Sequence, residues 1–294
     1  MTTTVSTRLM RTIAETRATI EAAKHAGKTI GFVPTMGALH EGHLSLVKAS
    51  VATCDRTVVS VFVNPTQFGP GEDFDRYPRE LEKDLQLLEK LGCWLVFAPS
   101  TEEMYPKGSE TLVDVGAVAR PLEGTARPKH FAGVATVVLK LFQIVPADQA
   151  FFGQKDYQQT LVIQQLIHDL SVPIKLVVCP TVREADGLAM SSRNAYLSPS
   201  QREQAMSLWQ SLQLAKQLVT EGTVDVAEIT RKMQSVFASQ PDAVIEYIAF
   251  VEDGTVQSVE TIAGPTVILL AVRVGKTRLI DNLRIGLEPP MRAD

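Results

Sequence analysis

Two histidines, His40 and His43, follow an apolar segment that is typical of a buried β-strand. They stand where a helix is predicted to begin, so free N–H groups and the helix dipole favour an anion there. Gly37 and Gly42 allow a phosphate to approach the main chain closely. Two imidazoles on one helical turn can donate hydrogen bonds to phosphate oxygens as charge develops. A lone histidine would more often be a helix cap, but this combination favours phosphate chemistry.

Several familiar motifs of catalysis and phosphate binding are incomplete in this chain. Val274-Gly275-Lys276-Thr277 resembles the end of a P-loop, but Leu270 replaces the first glycine of that motif. Gly69-Pro70-Gly71 begins a dinucleotide fingerprint, but Phe74 replaces the third glycine. No GxSxG sequence is present, which argues against an α/β-hydrolase. The two histidines are also spaced too closely for the zinc motif HExxH.

Strands and helices alternate in the first part of the predicted secondary structure. Strands are predicted over residues 29–33, 57–63, 93–98, 150–152 and 174–179, and helices over 8–26, 42–54, 79–91, 133–145 and 156–170. This alternation predicts an α/β fold with a Rossmann-like parallel sheet flanked by helices. Ligands should bind at the carboxyl ends of the strands.

The pattern changes after about residue 182. Two helices are predicted over 199–220 and 224–239, and strands follow over 243–251, 266–272 and 278–280. Strands in a run indicate a smaller α+β domain. We therefore predict a Rossmann-like ligand-binding domain of residues 1–182 and a C-terminal α+β lid domain of residues 183–294.

Composition narrows the possible partners. The net charge of −4 argues against a nucleic-acid partner, which would require a basic surface. The three cysteines form no CxxC pair and lie in or beside apolar runs, as expected of free thiols in a reducing compartment. No signal sequence or membrane-length apolar stretch is apparent, so we expect a cytoplasmic protein without a membrane partner.

The pattern His40-Glu41-Gly42-His43 resembles the HIGH signature of class I adenylate-forming and nucleotidyl-transferring enzymes. In that superfamily a mobile loop with a K-M-S-K-S-like sequence contacts the phosphates, and Met190-Ser191-Ser192-Arg193 stands in its place. Five ordered segments then resemble one member, the pantoate-β-alanine ligase family. These segments are residues 31–43, 62–68, 127–131, 152–157 and 183–194, with a weaker match at 278–282.

This resemblance implies an enzyme that uses ATP to join pantoate and β-alanine through a pantoyl adenylate, releasing AMP and pyrophosphate. ATP binding would involve Pro34, Thr35, Met36, Gly37, His40, His43, Gly153, Lys155, Asp156, Val182, Met190, Ser191, Ser192 and Arg193. The catalytic residues would be His43, His40, Lys155 and Arg193, which would stabilise the leaving pyrophosphate. The resemblance also implies a homodimer.

The same resemblance implies four pantoate- or β-alanine-binding residues: Gln67, Gln159, Asn64 and His130. Amide side chains both donate and accept hydrogen bonds, which suits the carboxylate and hydroxyls of pantoate. Two alternatives remain open. Gln159 lies in a predicted helix and could simply be solvated, and His130 could belong to a basic surface patch with Arg127 and Lys129.

Magnesium is expected as a cofactor because it commonly bridges nucleotide phosphates with few protein ligands. Asp84 is the candidate ligand. Lys83 departs from the family, where this position is often acidic, and Glu82 could equally belong to a solvated helix face.

Two other functions are compatible with the histidine pattern alone. A nucleotidyltransferase would release pyrophosphate without AMP, and the segments containing Gln67 and Gln159 argue against it. A noncatalytic nucleotide sensor would not need to keep His43, Lys155 and Arg193.

Overall fold

The computed structural model describes residues 7–286, which form two compact units. The larger unit contains the described residues up to Gln154 together with Gln158–Thr181. The smaller unit contains Lys155–Tyr157 and the described residues from Val182 onward. The boundary predicted after residue 182 lies beside this division, but the sequence pattern places Lys155–Tyr157 on the other side of it.

A six-stranded parallel sheet runs through the larger unit. Its strands are β1 (Arg8–Met10), β2 (Ile30–Thr35), β3 (Arg56–Val61), β4 (Leu95–Phe97), β5 (Gln149–Gly153) and β6 (Lys175–Cys179), in the order β1-β4-β3-β2-β5-β6. From β2 the chain adds β3 and β4 on one side, then returns to place β5 and β6 on the other. The order therefore reverses between β2 and β5, which is where open α/β sheets bind ligands. The predicted Rossmann-like sheet is confirmed.

Helices enclose this sheet. They are α1 (Ile13–His25), α2 (Glu41–Thr53), α3 (Leu81–Lys90), α4 (Thr101–Met104), α5 (Glu123–Ala126), α6 (His130–Ile144) and α7 (Tyr157–Asp169), with short 3-10 helices at Pro65–Gln67, Gly116–Ala119 and Gln154–Asp156. No helix within residues 7–286 is long and apolar enough to cross a membrane.

Successive residues of the central strands enter two different apolar clusters. Phe32 belongs to a cluster with Phe142 of α6, whereas Val33 belongs to a cluster with Val47 of α2 and Leu88 of α3. Side chains alternate across a strand, so the two clusters lie on opposite faces of the sheet. Burial on both faces explains why these strands are almost continuously apolar in sequence.

The smaller unit is a three-stranded antiparallel sheet with two helices. The strands are β7 (Ala243–Glu252), β8 (Thr266–Val274) and β9 (Thr277–Ile285), in that order, and the helices are α8 (Pro199–Thr220) and α9 (Val226–Val236). Leu208 and Leu212 of α8 pack with Ile268 and Leu270 of β8 in its core. A 3-10 helix at Ser192–Tyr196 precedes α8. The predicted α+β character is confirmed.

One predicted helix was wrong at its start. The apolar spacing assigns residues 8–26 to one helix, but Arg8–Met10 form β1, an edge strand paired with β4. Thr12 follows the strand and caps α1, because its hydroxyl accepts the N–H of Glu15 at 3.3 Å. Leu9 fits the helical period by its spacing alone, whereas Thr12 and Glu15 have the spacing of a helix start.

Candidate active site

The loop between β2 and α2 follows a left-handed path at two successive residues. Gly37 has φ 86° and Ala38 has φ 51°. Thr35, the last residue of β2, donates its hydroxyl to the Ser60 carbonyl at 2.7 Å and accepts the Gly37 N–H at 3.2 Å. A Cβ on Gly37 would lie 3.1 Å from Oδ2 of Asp84. The positive φ and this crowding together favour glycine at the position.

Asp84 of α3 also fixes the loop between β2 and α2, through hydrogen bonds to its main chain. This carboxylate is 1% exposed and accepts the N–H of Ala38 at 3.0 Å and of Leu39 at 2.8 Å, one on each oxygen. Burial raises the pKa of Asp84, and the two N–H groups oppose that rise. The predicted role of Asp84 as a magnesium ligand gains no support here. Within residues 7–286, no three His, Cys, Asp or Glu side chains form a group suited to a metal ion.

His40 and His43 form a reciprocal cap at the start of α2. The N–H of Gly42 donates to Nδ1 of His40 at 3.2 Å, and the N–H of His40 donates to Nδ1 of His43 at 3.4 Å. The ring centroids are 4.1 Å apart. Because both Nδ1 atoms accept, a neutral ring carries its proton on Nε2 in each case. The structure shows the capping interaction, which leaves the N–H donor of each neutral ring on Nε2, and the phosphate-binding role stays a prediction.

Gln67 lies after β3, and neighbouring side chains fix its amide. Nδ2 of Asn64 donates to Oε1 of Gln67 at 3.1 Å, and Nε2 of Gln67 donates to the Met36 sulfur at 3.2 Å. Asn64 is 1% exposed, and its Oδ1 accepts the Tyr105 hydroxyl at 2.9 Å. The structure therefore joins two predicted segments, the loop containing Met36 and the segment containing Asn64 and Gln67. Asn64 is therefore a buried residue that orients the Gln67 amide.

His130 supports the main chain of Gln67. Its Nδ1 lies 2.9 Å from the Gln67 carbonyl, and its Nε2 lies 3.2 Å from Nη1 of Arg127. Arginine can only donate, so Nε2 accepts and the proton lies on Nδ1. Arg127 is itself fixed by Glu72 through two hydrogen bonds of 2.8 and 2.5 Å. Both imidazole nitrogens of His130 therefore have protein partners, unlike the solvated basic patch that the sequence left open.

The carboxylate of Glu72 stays charged in this arrangement. Burial alone would raise the pKa of Glu72, but the hydrogen bonds and charge of Arg127 hold it below its ordinary value. The opposite effect operates on His130, because burial and the neighbouring Arg127 lower its pKa to about 4. His130 is therefore a neutral imidazole near neutral pH.

We expect this neutral histidine to make stability depend on pH. The pKa of His130 is about 4 in the folded chain against an ordinary value of 6.5, so unfolding takes up a proton between these values. Stability should fall as the pH falls from 6.5 to 4, by at most about 3 kcal/mol. Urea unfolding of the wild type and His130→Gln across this range measures the effect, which should shrink in the variant. His168→Gln, at an exposed histidine, is the matched control. Equal pH dependence in all three proteins would contradict the assignment.

Gly153 and Gln159 are the two remaining residues of the larger unit that the sequence predicts to bind a ligand. Gly153 ends β5, beside the point where strand order reverses, and a Cβ there would meet no atom within 4 Å. Gln159 lies in α7 and is partly exposed. A ligand can therefore reach its side chain.

The smaller unit contains the remaining predicted residues. Residues 182–190 form a tight hairpin, in which the N–H of Met190 donates to the Val182 carbonyl at 3.0 Å. Ser191 then caps the 3-10 helix at Ser192–Tyr196, because its hydroxyl accepts the Arg193 N–H at 3.3 Å. Lys155 and Asp156 stand in the turn before α7, with Nζ of Lys155 3.8 Å from Oδ2 of Asp156.

Sequence reasoning missed two residues that shape this site, Glu72 and Tyr105. Glu72 lies in a polar loop and Tyr105 after a short helix, and neither belongs to a segment that marks the site in sequence. Their importance comes only from contacts with Arg127 and Asn64, which are distant in the chain.

Comparisons with known proteins agree on one family. The sequence model for pantoate-beta-alanine ligase matches residues 8–284. A pantothenate synthetase of Acetivibrio thermocellus is 50% identical over 276 residues, which cover 94% of this chain and 98% of that protein. The crystal structure of pantothenate synthetase from Thermus thermophilus has a TM-score of 0.90 at 45% identity, covering 94% of this chain and 98% of that one. A pantoate-beta-alanine ligase from Francisella tularensis, complexed with beta-gamma ATP and beta-alanine, has a TM-score of 0.78 at 36% identity, covering 94% and 97%.

Proposed function

Because the chain belongs to the pantoate-beta-alanine ligase family, we propose that its two capped histidines serve an adenylation step in that reaction. The enzyme condenses pantoate with β-alanine at the expense of ATP. The observation that carries the proposal is the His40–His43 cap, because it places the N–H donor of each ring on Nε2. It lies at the start of α2, after the strand that borders the reversal of strand order. Family membership argues against a nucleotidyltransferase and against a noncatalytic nucleotide sensor.

In the first step the pantoate carboxylate attacks the α-phosphorus of ATP. A carboxylate oxygen bonds to phosphorus, the bond to the β-phosphate oxygen breaks, and pyrophosphate leaves with the electron pair. His40 and His43 donate hydrogen bonds to oxygens on which negative charge accumulates. The loop Pro34, Thr35, Met36 and Gly37 provides main-chain contact with the nucleotide, since Gly37 bears no Cβ.

Pantoate is held by Gln67 and Gln159 in this proposal. Asn64 and Met36 fix both ends of the Gln67 amide, so it meets the substrate already oriented. Preorganisation of this kind lowers the entropic cost of bringing the carboxylate to ATP. His130 acts indirectly, by holding the Gln67 carbonyl, and Asn64 acts through Oε1 of Gln67.

From the family resemblance we propose further cationic and hydroxyl groups for the nucleotide and the leaving group. Lys155 and Arg193 provide positive charge for the pyrophosphate, and Ser191 and Ser192 provide hydroxyl groups. The nucleotide contacts proposed from the family resemblance are Gly153, Asp156, Val182 and Met190, with Asp156 on the ribose.

In the second step the amine of β-alanine attacks the carbonyl carbon of pantoyl adenylate. The carbon–nitrogen bond forms, the amine loses a proton, and the bond to the AMP oxygen breaks. AMP and the amide product are released. No protein nucleophile is needed, since the adenylate already provides a good leaving group.

Magnesium fits this chemistry as a partner of the ATP phosphates. The described side chains include no group of three or more His, Cys, Asp or Glu that could hold a metal ion. Both oxygens of Asp84 accept main-chain N–H groups. We therefore assign Asp84 to the loop before His40, and we propose that magnesium is held mostly by phosphate and water. The metal would neutralise polyphosphate charge.

Two further proposals concern the state of the protein in the cell. All three cysteines, Cys54, Cys93 and Cys179, are free thiols, which supports a reducing, cytoplasmic compartment. Family resemblance supports a homodimer. The proposed partners are thus the small-molecule substrates and a second copy of the chain, without nucleic acid or membrane.

Pyrophosphate exchange tests the adenylation step directly. Labelled pyrophosphate should enter ATP when pantoate and magnesium are present, without β-alanine, because adenylation is a complete and reversible half-reaction. Omission of pantoate is the control, and it should abolish exchange. A strict requirement for β-alanine would replace the adenylate with a concerted three-substrate step.

A further inference from the structure

Two adjacent polar residues of β9, Asp281 and Asn282, are buried in a largely apolar sheet. Each is 2% exposed. Burying such side chains is costly unless their hydrogen bonds are made within the protein. Segment 278–282 resembled the family only weakly in sequence, and the reaction described above gives these residues no role. The hydrogen-bonding partners of Asp281 and Asn282 show which segments of the chain these two residues fix in place.

Asp281 holds the base of the hairpin that leads to Met190 and Arg193. Its two oxygens accept Nη1 and Nη2 of Arg183 at 2.6 and 2.9 Å. The same guanidinium donates to the Gly187 carbonyl at 3.1 Å. Bidentate pairs of this kind fix orientation as well as distance. Asp281 therefore fixes Arg183, which contacts the hairpin both at its base and in its turn.

Arg183 is further immobilised by an aromatic ring. Its guanidinium carbon lies 3.8 Å from the ring centroid of Trp209 in α8. Arginine stacks on aromatic faces in a way that lysine does not reproduce, because the guanidinium is planar. The hairpin is thus attached to both the sheet and a helix of the smaller unit.

Asn282 holds the second segment. Its Nδ2 donates to the Lys155 carbonyl at 2.8 Å, and its N–H donates to Oδ1 of Asp281 at 2.8 Å. Neighbouring residues of one strand therefore fix Lys155 on one side and the hairpin before Arg193 on the other. Strand β9 therefore fixes the position of two segments that come from distant parts of the chain.

We propose that Asp281 and Asn282 are positioning residues for adenylation, which set the relative placement of Lys155 and the segment containing Arg193. The inference rests on the proposed function, since those two cations are assigned to the pyrophosphate. Asp281 and Asn282 should therefore affect only the first half-reaction, the adenylation of pantoate. Pyrophosphate has already left when β-alanine attacks, so the second half-reaction should not depend on them.

The test compares the two half-reactions in Asp281→Asn and Asn282→Leu. Exchange of labelled pyrophosphate into ATP with pantoate should fall about 10- to 100-fold, because a small misplacement of charged groups costs that much. Attack of β-alanine on synthetic pantoyl adenylate should change less than about twofold. Circular dichroism confirms that each variant is folded.

Two further variants test the bidentate ion pair and provide a control. Arg183→Lys keeps the positive charge but loses the bidentate pair, so exchange should fall there as well. Glu228→Gln is the matched control, because Glu228 also forms an ion pair in the smaller unit, with Nζ of Lys232 at 2.8 Å on α9. Its two half-reactions should match those of the wild type.

The outcomes separate the proposals. A parallel fall of both half-reactions in folded variants would mean that Asp281 and Asn282 are structural only, and unchanged exchange would also overturn their positioning role. Absence of exchange in the wild type would instead overturn the adenylation step itself.

Discussion

Replacing His43 with alanine should lower turnover by about 10²- to 10³-fold, which is the usual effect of losing one donor to developing charge. Nδ1 of His43 accepts the N–H of His40, so the N–H donor of the neutral ring is Nε2–H. ATP binding should weaken much less than turnover, because the donor matters most as the α-phosphorus is attacked. Steady-state kinetics and ATP titration of the same protein measure the two quantities.

A companion variant separates catalysis from capping. His43→Asn keeps a side-chain acceptor that can cap α2 but has no Nε2–H, so its turnover should be as low as that of the alanine variant. His168→Ala, at an exposed histidine, should behave like the wild type. Turnover of His43→Asn near the wild-type rate would show that the ring serves only as a helix cap.

Replacing Lys155 with alanine should reduce pyrophosphate exchange by about 10²-fold or more, since a cation on the leaving group is lost. Its side chain is 20% exposed, and its carbonyl accepts Nδ2 of Asn282 at 2.8 Å, which fixes the main chain from which the side chain extends. Lys155→Arg should recover part of the rate, because the charge is retained with different geometry. The KM for pantoate should be nearly unchanged, and it is obtained from the same exchange assay.

An exposed lysine of the same unit provides the control. Lys232 pairs with Glu228 on α9 at 2.8 Å, so Lys232→Ala removes a cation and an ion pair elsewhere. Its exchange rate should equal that of the wild type. If the two alanine variants behaved alike, general charge rather than a specific contact would explain any loss.

The parts of the site that sequence predicts best are those encoded by neighbouring residues. Gly37, His40 and His43 fall within one short segment, where strand end, glycine and helix start are local properties of the chain. The alternation of strands and helices likewise predicts the parallel sheet, because each element is marked by its own periodicity. Local information is sufficient in both cases.

Contacts between distant residues could not be predicted in this way. One such contact places the His130 ring between Arg127 and the Gln67 carbonyl. Another joins the two oxygens of Asp84 to the N–H groups of Ala38 and Leu39, and the magnesium role of Asp84 stays a prediction. Residue type alone cannot distinguish a side chain that binds a ligand from one that orients the ligand's partner.

The return of the chain from β4 to β5 has a consequence for the order of folding. Pairing of β2 with β5 joins Gly31 to Gln149, whereas β2 and β3 pair across a single helix. Closing so long a loop carries a larger entropic cost, and contacts of high sequence separation slow folding. The crevice where strand order reverses should therefore close after the β2–β3 half has formed. Pulse-labelled hydrogen exchange during refolding should show β3 amides protected before those of β5, and simultaneous protection would contradict this order.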